Sequence, residues 1–233
     1  MKKYTPKEIL KIIAPPEKIK SFEQIKELVN SDKNLTLIQK DFFTHFQKLF
    51  LQSIDKQIEG DAVLIGIWKG GGALYLKSLF EQNSIDISWH LIDSFNGFNS
   101  NNVNYPEDKK ALEIFKNFKI IKYPSKNDVI DLFKLYNLEK NLNVYNCFLE
   151  DQQNLPKINK ISFLHIDVDF YEPTFLSLQQ YYPYVSKNGI IVIDDYNVKY
   201  YNCKNAVDDF IKINKLNLEL INLGDYPIAW QKK

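Results

Sequence analysis

From Gly60 onward, short apolar runs of strand length alternate with segments of helical spacing, and four of those runs stop at a glycine turn or an aspartate. Ala62 to Ile67 runs into Trp68-Lys69-Gly70-Gly71-Gly72. Trp89 to Ile92 stops at Asp93, Ile161 to Ile166 at Asp167, and Gly189 to Ile193 at Asp194-Asp195. Helical spacing predicts helices over Ala73–Gln82, Ala111–Phe118, Asn127–Tyr136, Thr174–Tyr182 and Asn205–Lys215. Lys119–Lys122 and Asn143–Phe148 read as further strands, and Glu219–Leu223 with Ile228–Gln231 as a closing antiparallel pair. Such alternation predicts an α/β fold with a mostly parallel, Rossmann-like sheet covered on both faces. Ligand sites in these sheets lie beyond the carboxyl ends of the strands, where the glycine turn and the aspartates fall.

Residues 1–59 read as an N-terminal helical extension broken at Pro15-Pro16, and residues 60–233 as the α/β domain. Within the extension, Ser21–Val29 and Asn34–Ile58 have helical spacing. Phe42, Phe43, Phe46, Leu49, Phe50 and Ile54 recur at three and four, which reads as a packing face rather than a cofactor site. Residues 96–109 are rich in Asn and contain Pro106, and read as a mobile loop.

Charge excludes some partners. Thirty basic residues against twenty-nine acidic ones leave a net charge of +1, with no long basic run, which argues against nucleic acid. Every basic residue is Lys, so bidentate guanidinium capture of an anion is not open to this chain. The two cysteines, Cys147 and Cys203, read as ordinary thiols rather than a disulfide framework or zinc site. No apolar run reaches membrane-spanning length and no signal core follows Met1, so a cytoplasmic protein without membrane contact is expected.

A strand running into Gly66-Ile67-Trp68-Lys69-Gly70-Gly71-Gly72 lets backbone approach a ligand closely. It is neither a dinucleotide fingerprint, because Trp68 replaces the second glycine, nor a P-loop. Asp93, on the next strand end, could accept hydrogen bonds from ribose hydroxyls or merely cap the turn at Ser94-Phe95-Asn96-Gly97. Together the two favour a nucleoside cofactor. The stronger feature is Asp167-Val168-Asp169 with Asp194-Asp195. Four clustered acids repel unless a proton or cation offsets them. An all-oxygen donor set suits a hard ion such as Mg²⁺, and a carboxylate left off the metal could act as a base. Capping of the following helices is the bland alternative for one or two of them. His165 reads as a packed, hydrogen-bonded core histidine. Tyr181, Tyr182, Tyr184, Tyr200 and Tyr201 read mostly as packing, with a pocket wall as the alternative.

These segments resemble the macrocin O-methyltransferase-like enzymes, metal-dependent methyltransferases acting on sugars of antibiotics. The resemblance runs from about Gly60 to Trp230. It is carried by Gly60-Asp61 with Gly66-Ile67-Trp68-Lys69-Gly70-Gly71, by Leu91-Ile92-Asp93-Ser94-Phe95, by Leu164 to Thr174, by Ile193-Asp194-Asp195-Tyr196, and by Ala206 to Phe210. It implies a class I methyltransferase fold, with S-adenosylmethionine over Gly66, Trp68 and Gly70 and beside Asp93, Ser94 and Asp167. It implies Mg²⁺ on Asp167, Asp194 and Asp195, and Asp169 as the base that takes the proton of a sugar-like hydroxyl. By analogy it implies a homodimer, with the N-terminal helices as substrate lid or dimer contact. Leu64, Gly72 and Asn96 stand where the family usually has Glu, Ser or Thr, and Glu. A glycosyltransferase using Asp167-Val168-Asp169 for a nucleotide sugar, and a non-catalytic binding protein on the same scaffold, are the alternatives.

Overall fold

The computed structural model describes residues 25–27, 35–53, 58–117 and 123–233. The break at Pro15-Pro16, most of the Ser21–Val29 helix and the strand expected at Lys119–Lys122 lie outside these residues.

Among the described residues, seven strands form one sheet in the order β3-β2-β1-β4-β5-β7-β6. The strands are β1 (Asp61–Ile65), β2 (Trp89–Asp93), β3 (Leu142–Asn146), β4 (Ile161–Ile166), β5 (Val185–Ile193), β6 (Ile221–Asn222) and β7 (Ile228–Gln231). β1 to β5 run parallel, while β7 pairs antiparallel with both β5 and β6. The helices are α1 (Lys40–Ser53), α2 (Gly71–Gln82), α3 (Pro106–Asn117), α4 (Lys126–Leu135), α5 (Tyr171–Tyr181) and α6 (Cys203–Ile213). The α/β class and the closing antiparallel pair are as the sequence predicts.

The sheet is buried on both faces, which is why β4 is mostly apolar, with Ser162 and His165 its polar members, and every residue in it is buried. On one face, Phe42, Phe43, Phe46 and Phe50 of α1 pack with Tyr75 and Phe80 of α2 onto Trp89 and Phe163. The recurring aromatics of the N-terminal segment are thus a core face, each contributing on the order of 1.5–3 kcal/mol by burial. On the other face, α5 and α6 cover the sheet through Leu178, Val207 and Phe210, which pack with Leu164, Ile191, Ile193 and Trp230.

One expectation is corrected in part. The segment 96–109 is not loop throughout, because Pro106 opens α3. Proline has no N–H to lose at a first helical position, and Glu107 and Asp108 suit the positive end of the helix. No helix among the described residues is long and apolar enough to cross a membrane.

Candidate active site

The strand order reverses between β1 and β4, and a cavity of ≈ 480 Å³ opens beyond their carboxyl ends. Gly66, Trp68, Asp93, Ser94, Asp167, Asp169, Asp194 and Asp195 all line it. Gly70 is not on its wall. It sits at φ +83 against α4, where an added Cβ would lie 3.1 Å from Val129.

The glycine turn is built by necessity rather than preference. Gly66 has φ +75, and a Cβ there would stand 1.8 Å from the carbonyl oxygen of Asp167. The turn after β1 therefore passes against the turn after β4. Asp93 holds it in place: one carboxylate oxygen accepts the N–H of Ile67 at 2.8 Å and of Trp68 at 2.9 Å, and the other accepts Phe95 N–H at 2.7 Å. Burial pushes the Asp93 carboxyl up, against the pull of these three bonds. A carboxylate has about four lone-pair sites, so Asp93 can still accept from a ligand hydroxyl. Leu64, in the position of the expected acid, is packed in the core. Asp93 does the work of organising the turn.

The acids meet because of strand register. Ile166 pairs with Ile193, so Asp167 and Asp194 stand side by side on adjacent strand ends. Asp167 N–H donates to Ile65 and Asp194 N–H to Ile166, which fixes both backbones. Asp169 has φ 56, and Phe170 N–H donates to Val168 across it at 2.6 Å, a tight three-residue turn. That turn brings Asp169 back to the cluster, where it faces the charges of Asp194 and Asp195.

One oxygen from each of Asp167, Asp194 and Asp195 lies within 4.8 Å of the others. Burial, then the neighbouring carboxylates, push Asp167, Asp169 and Asp194 well above the usual carboxylate range. Burial raises Asp195 to about 6. Asp194 Oδ1 and Asp195 Oδ2 are buried with no protein partner. Orphaned, all-oxygen donors at this separation fit a hard divalent cation such as Mg²⁺.

His165 is buried between Phe42 and Phe163, as a core histidine would be. Its Nε2 has no hydrogen-bond partner, so the expected hydrogen bonding is not found at that atom, and burial lowers its pKa to about 4. Of the five tyrosines, Tyr181 and Tyr182 are core and Tyr184 is exposed, but Tyr200 and Tyr201 line the cavity with Tyr123 and Tyr226. Tyr201 packs on Phe115 and Phe170, and burial and the acid cluster push its phenol well up. Both cysteines are free and buried.

Sequence reasoning missed Asp108 and the segment before α1. Leu35 accepts the N–H of Gly71, and Thr36 to Gln39 line the cavity beside the glycine turn. The helix expected over Asn34–Ile58 begins only at Lys40, residues 35–39 being non-helical, and residues 54–57 lie outside the described residues.

The Macrocin-O-methyltransferase (TylF) family profile matches residues 19–232. The demethyldecarbamoylnovobiocin O-methyltransferase of Streptomyces niveus is 27% identical over 182 residues, 77% of this chain and 68% of that one. The mycinamicin III 3''-O-methyltransferase of Micromonospora griseorubida is 22% identical over 209 residues, 84% of this chain and 78% of that one. Among solved structures, the O-methyltransferase NovP superposes with a TM-score of 0.76 at 25% identity, covering 85% of this chain and 82% of its own.

Proposed function

The chain belongs to the macrocin O-methyltransferase (TylF) family, and from that premise we propose that this O-methyltransferase transfers the methyl group of S-adenosylmethionine to a hydroxyl of a sugar or glycosylated small molecule, with Mg²⁺ as activator. Membership of an enzyme family removes the glycosyltransferase and the non-catalytic binding protein as readings.

Asp167, Asp194 and Asp195 would hold the cation, and Gly66, Trp68, Asp93 and Ser94 the cofactor. When bound, the cation would acidify the acceptor hydroxyl and the sulfonium would supply the methyl group. Asp169 is the base in this reading. It is the acid of the cluster outside the cation triad, and its turn holds it beside the triad. The carboxylate would take the hydroxyl proton as the oxygen attacks the methyl carbon. Phe98, Phe115, Tyr200 and Tyr201 give the cavity aromatic faces, and Asn99, Asn102 and Glu150 give it hydrogen-bonding groups, a mixture suited to a sugar ring. The relatives named for novobiocin and mycinamicin derivatives support the same acceptor class. The cytoplasmic location and homodimer expected from the sequence belong to this proposal too.

The observation that carries the reading is the meeting of the four acids with the glycine turn in one cavity. Calorimetric titration of S-adenosylhomocysteine, with and without Mg²⁺, tests it. We expect saturable binding that Asp93→Ala weakens by roughly tenfold or more, since both the hydroxyl acceptor and the anchor of the turn are lost. No binding under either condition would sink the cofactor assignment.

A further inference from the structure

Asp108 lies outside the acid cluster, on the first turn of α3, and is fully buried. Its Oδ2 accepts the backbone N–H of Tyr171 at 2.9 Å. Its Oδ1 accepts the backbone N–H of Asn202 at 2.7 Å and the Asn202 side-chain amide at 3.3 Å. Tyr171 is the first residue of α5, and Asn202 directly precedes α6. These are the far ends of the two loops that carry the acids. One runs from the end of β4 through Asp167 and Asp169 to Tyr171. The other runs from the end of β5 through Asp194 and Asp195 to Asn202. The strand ladder fixes the near end of each loop, through Asp167 N–H on Ile65 and Asp194 N–H on Ile166. One carboxylate ties the two far ends together.

Asp108 suits the positive end of α3, but the N–H groups it accepts lie 63 and 94 positions along the chain. A buried carboxylate is costly unless its lone pairs are used. Here they are used on two helix N-termini, where negative charge is stabilising. Ala111, Leu112 and Phe115 of the same helix pack around Phe170, the residue after Asp169, so the clamp is backed by an apolar contact.

We propose that Asp108 is a positioning residue for the divalent cation, setting the separation of the Asp167–Asp169 loop from the Asp194–Asp195 loop and thereby the affinity for the ion. The inference rests on Asp167, Asp194 and Asp195 being the cation site. Mg²⁺ demands near-ideal octahedral geometry, so a small drift of one loop against the other weakens binding.

The test is Mn²⁺ titration of the full chain, read by the electron paramagnetic resonance of free Mn²⁺, for wild type, Asp108→Asn and Asp108→Glu. Circular dichroism checks folding of each. Asn keeps the shape but replaces one acceptor with a donor. Glu keeps the charge but is one methylene too long to hold both loops in place. Both should bind Mn²⁺ about tenfold more weakly or worse, as supporting partners of metal ligands do. Unchanged affinity in folded Asp108→Asn overturns the proposal. Wild-type affinity in Asp108→Glu, with Asp108→Asn weakened, overturns it in favour of charge alone. Should neither variant fold, Asn202→Ala removes the 3.3 Å side-chain arm to Asp108, together with the Asn202 side-chain bonds to Glu107 and Asn205, and leaves the backbone N–H on Asp108 in place. It should weaken binding a few-fold, and unchanged affinity there overturns the proposal. A wild type that binds no Mn²⁺ defeats the cation site itself, which is a separate and visible failure.

Discussion

Gly66 tolerates no side chain. An added methyl would meet the carbonyl of Asp167 at 1.8 Å, in a backbone conformation that L residues disfavour. Gly66→Ala should cost roughly 2–4 kcal/mol of stability by urea denaturation and displace the first acid of the cluster. An unchanged midpoint would mean that the two turns can slide apart. Asp169 makes a different prediction, because an amide cannot take a proton. Asp169→Asn should lower kcat by roughly 10²–10⁴ while S-adenosylhomocysteine still binds. Undiminished turnover would remove Asp169 from the base role. At this scale the sequence is informative where residue type and place on a strand coincide: Asp93, Asp167, Asp194 and Asp195 each follow an apolar run that can only be buried. Asp108 is not legible. It is one acid in the polar stretch Pro106 to Lys110, and only tertiary contacts distinguish it from Glu107.

α4 shows how an element edge serves the site. Ser125 accepts the N–H of Asp128 at 3.2 Å, and the Asp128 carboxylate accepts the N–H of Ser125 at 2.8 Å, a reciprocal cap. The helix it starts carries Val129, Leu132 and Phe133 against Gly70. Ser125→Ala should cost about 1 kcal/mol in chemical denaturation and leave the far strands untouched. A loss near zero would mean water replaces the cap. Elements with long apolar runs, such as β4, are legible to the residue. Edges are less so. α5 begins at Tyr171 rather than Thr174, because Pro173 fits a first helical turn, where its missing N–H costs nothing. β5 begins at Val185, before Gly189, and its pairing with β4 shifts register between Ile161 and Phe163. Alternation of side chains cannot reveal such an irregularity in advance.

Taken whole, the fold encloses more acid than it neutralises. Asp167, Asp169 and Asp194 sit well above the ordinary range and Asp195 at about 6. An acid whose pKa is higher in the native state binds more protons there than in the unfolded chain. Stability therefore rises as pH falls through that window, and the benefit is gone above the folded pKa. In chelator, the protein should melt at a higher temperature near about pH 5 than near about pH 7.5. Mg²⁺ should raise the melting temperature more at the higher pH, because it competes with protons for the same oxygens. A flat profile in chelator would mean the acids stay hydrated in the native state. The parallel sheet and both helical layers follow from the alternation of periodicities. The contact of Leu35 to Ile38 with the glycine turn does not, since it depends on how the chain returns to the sheet.

The turn at Asp169 places a non-glycine residue at positive φ beside three other carboxylates. Glycine there would relieve both the backbone strain, about 1–3 kcal/mol, and the charge repulsion. Random substitution under selection for stability alone would favour that exchange. Asp169 is thus a residue that its own turn and neighbours do not favour, and the base role proposed for it would supply the reason.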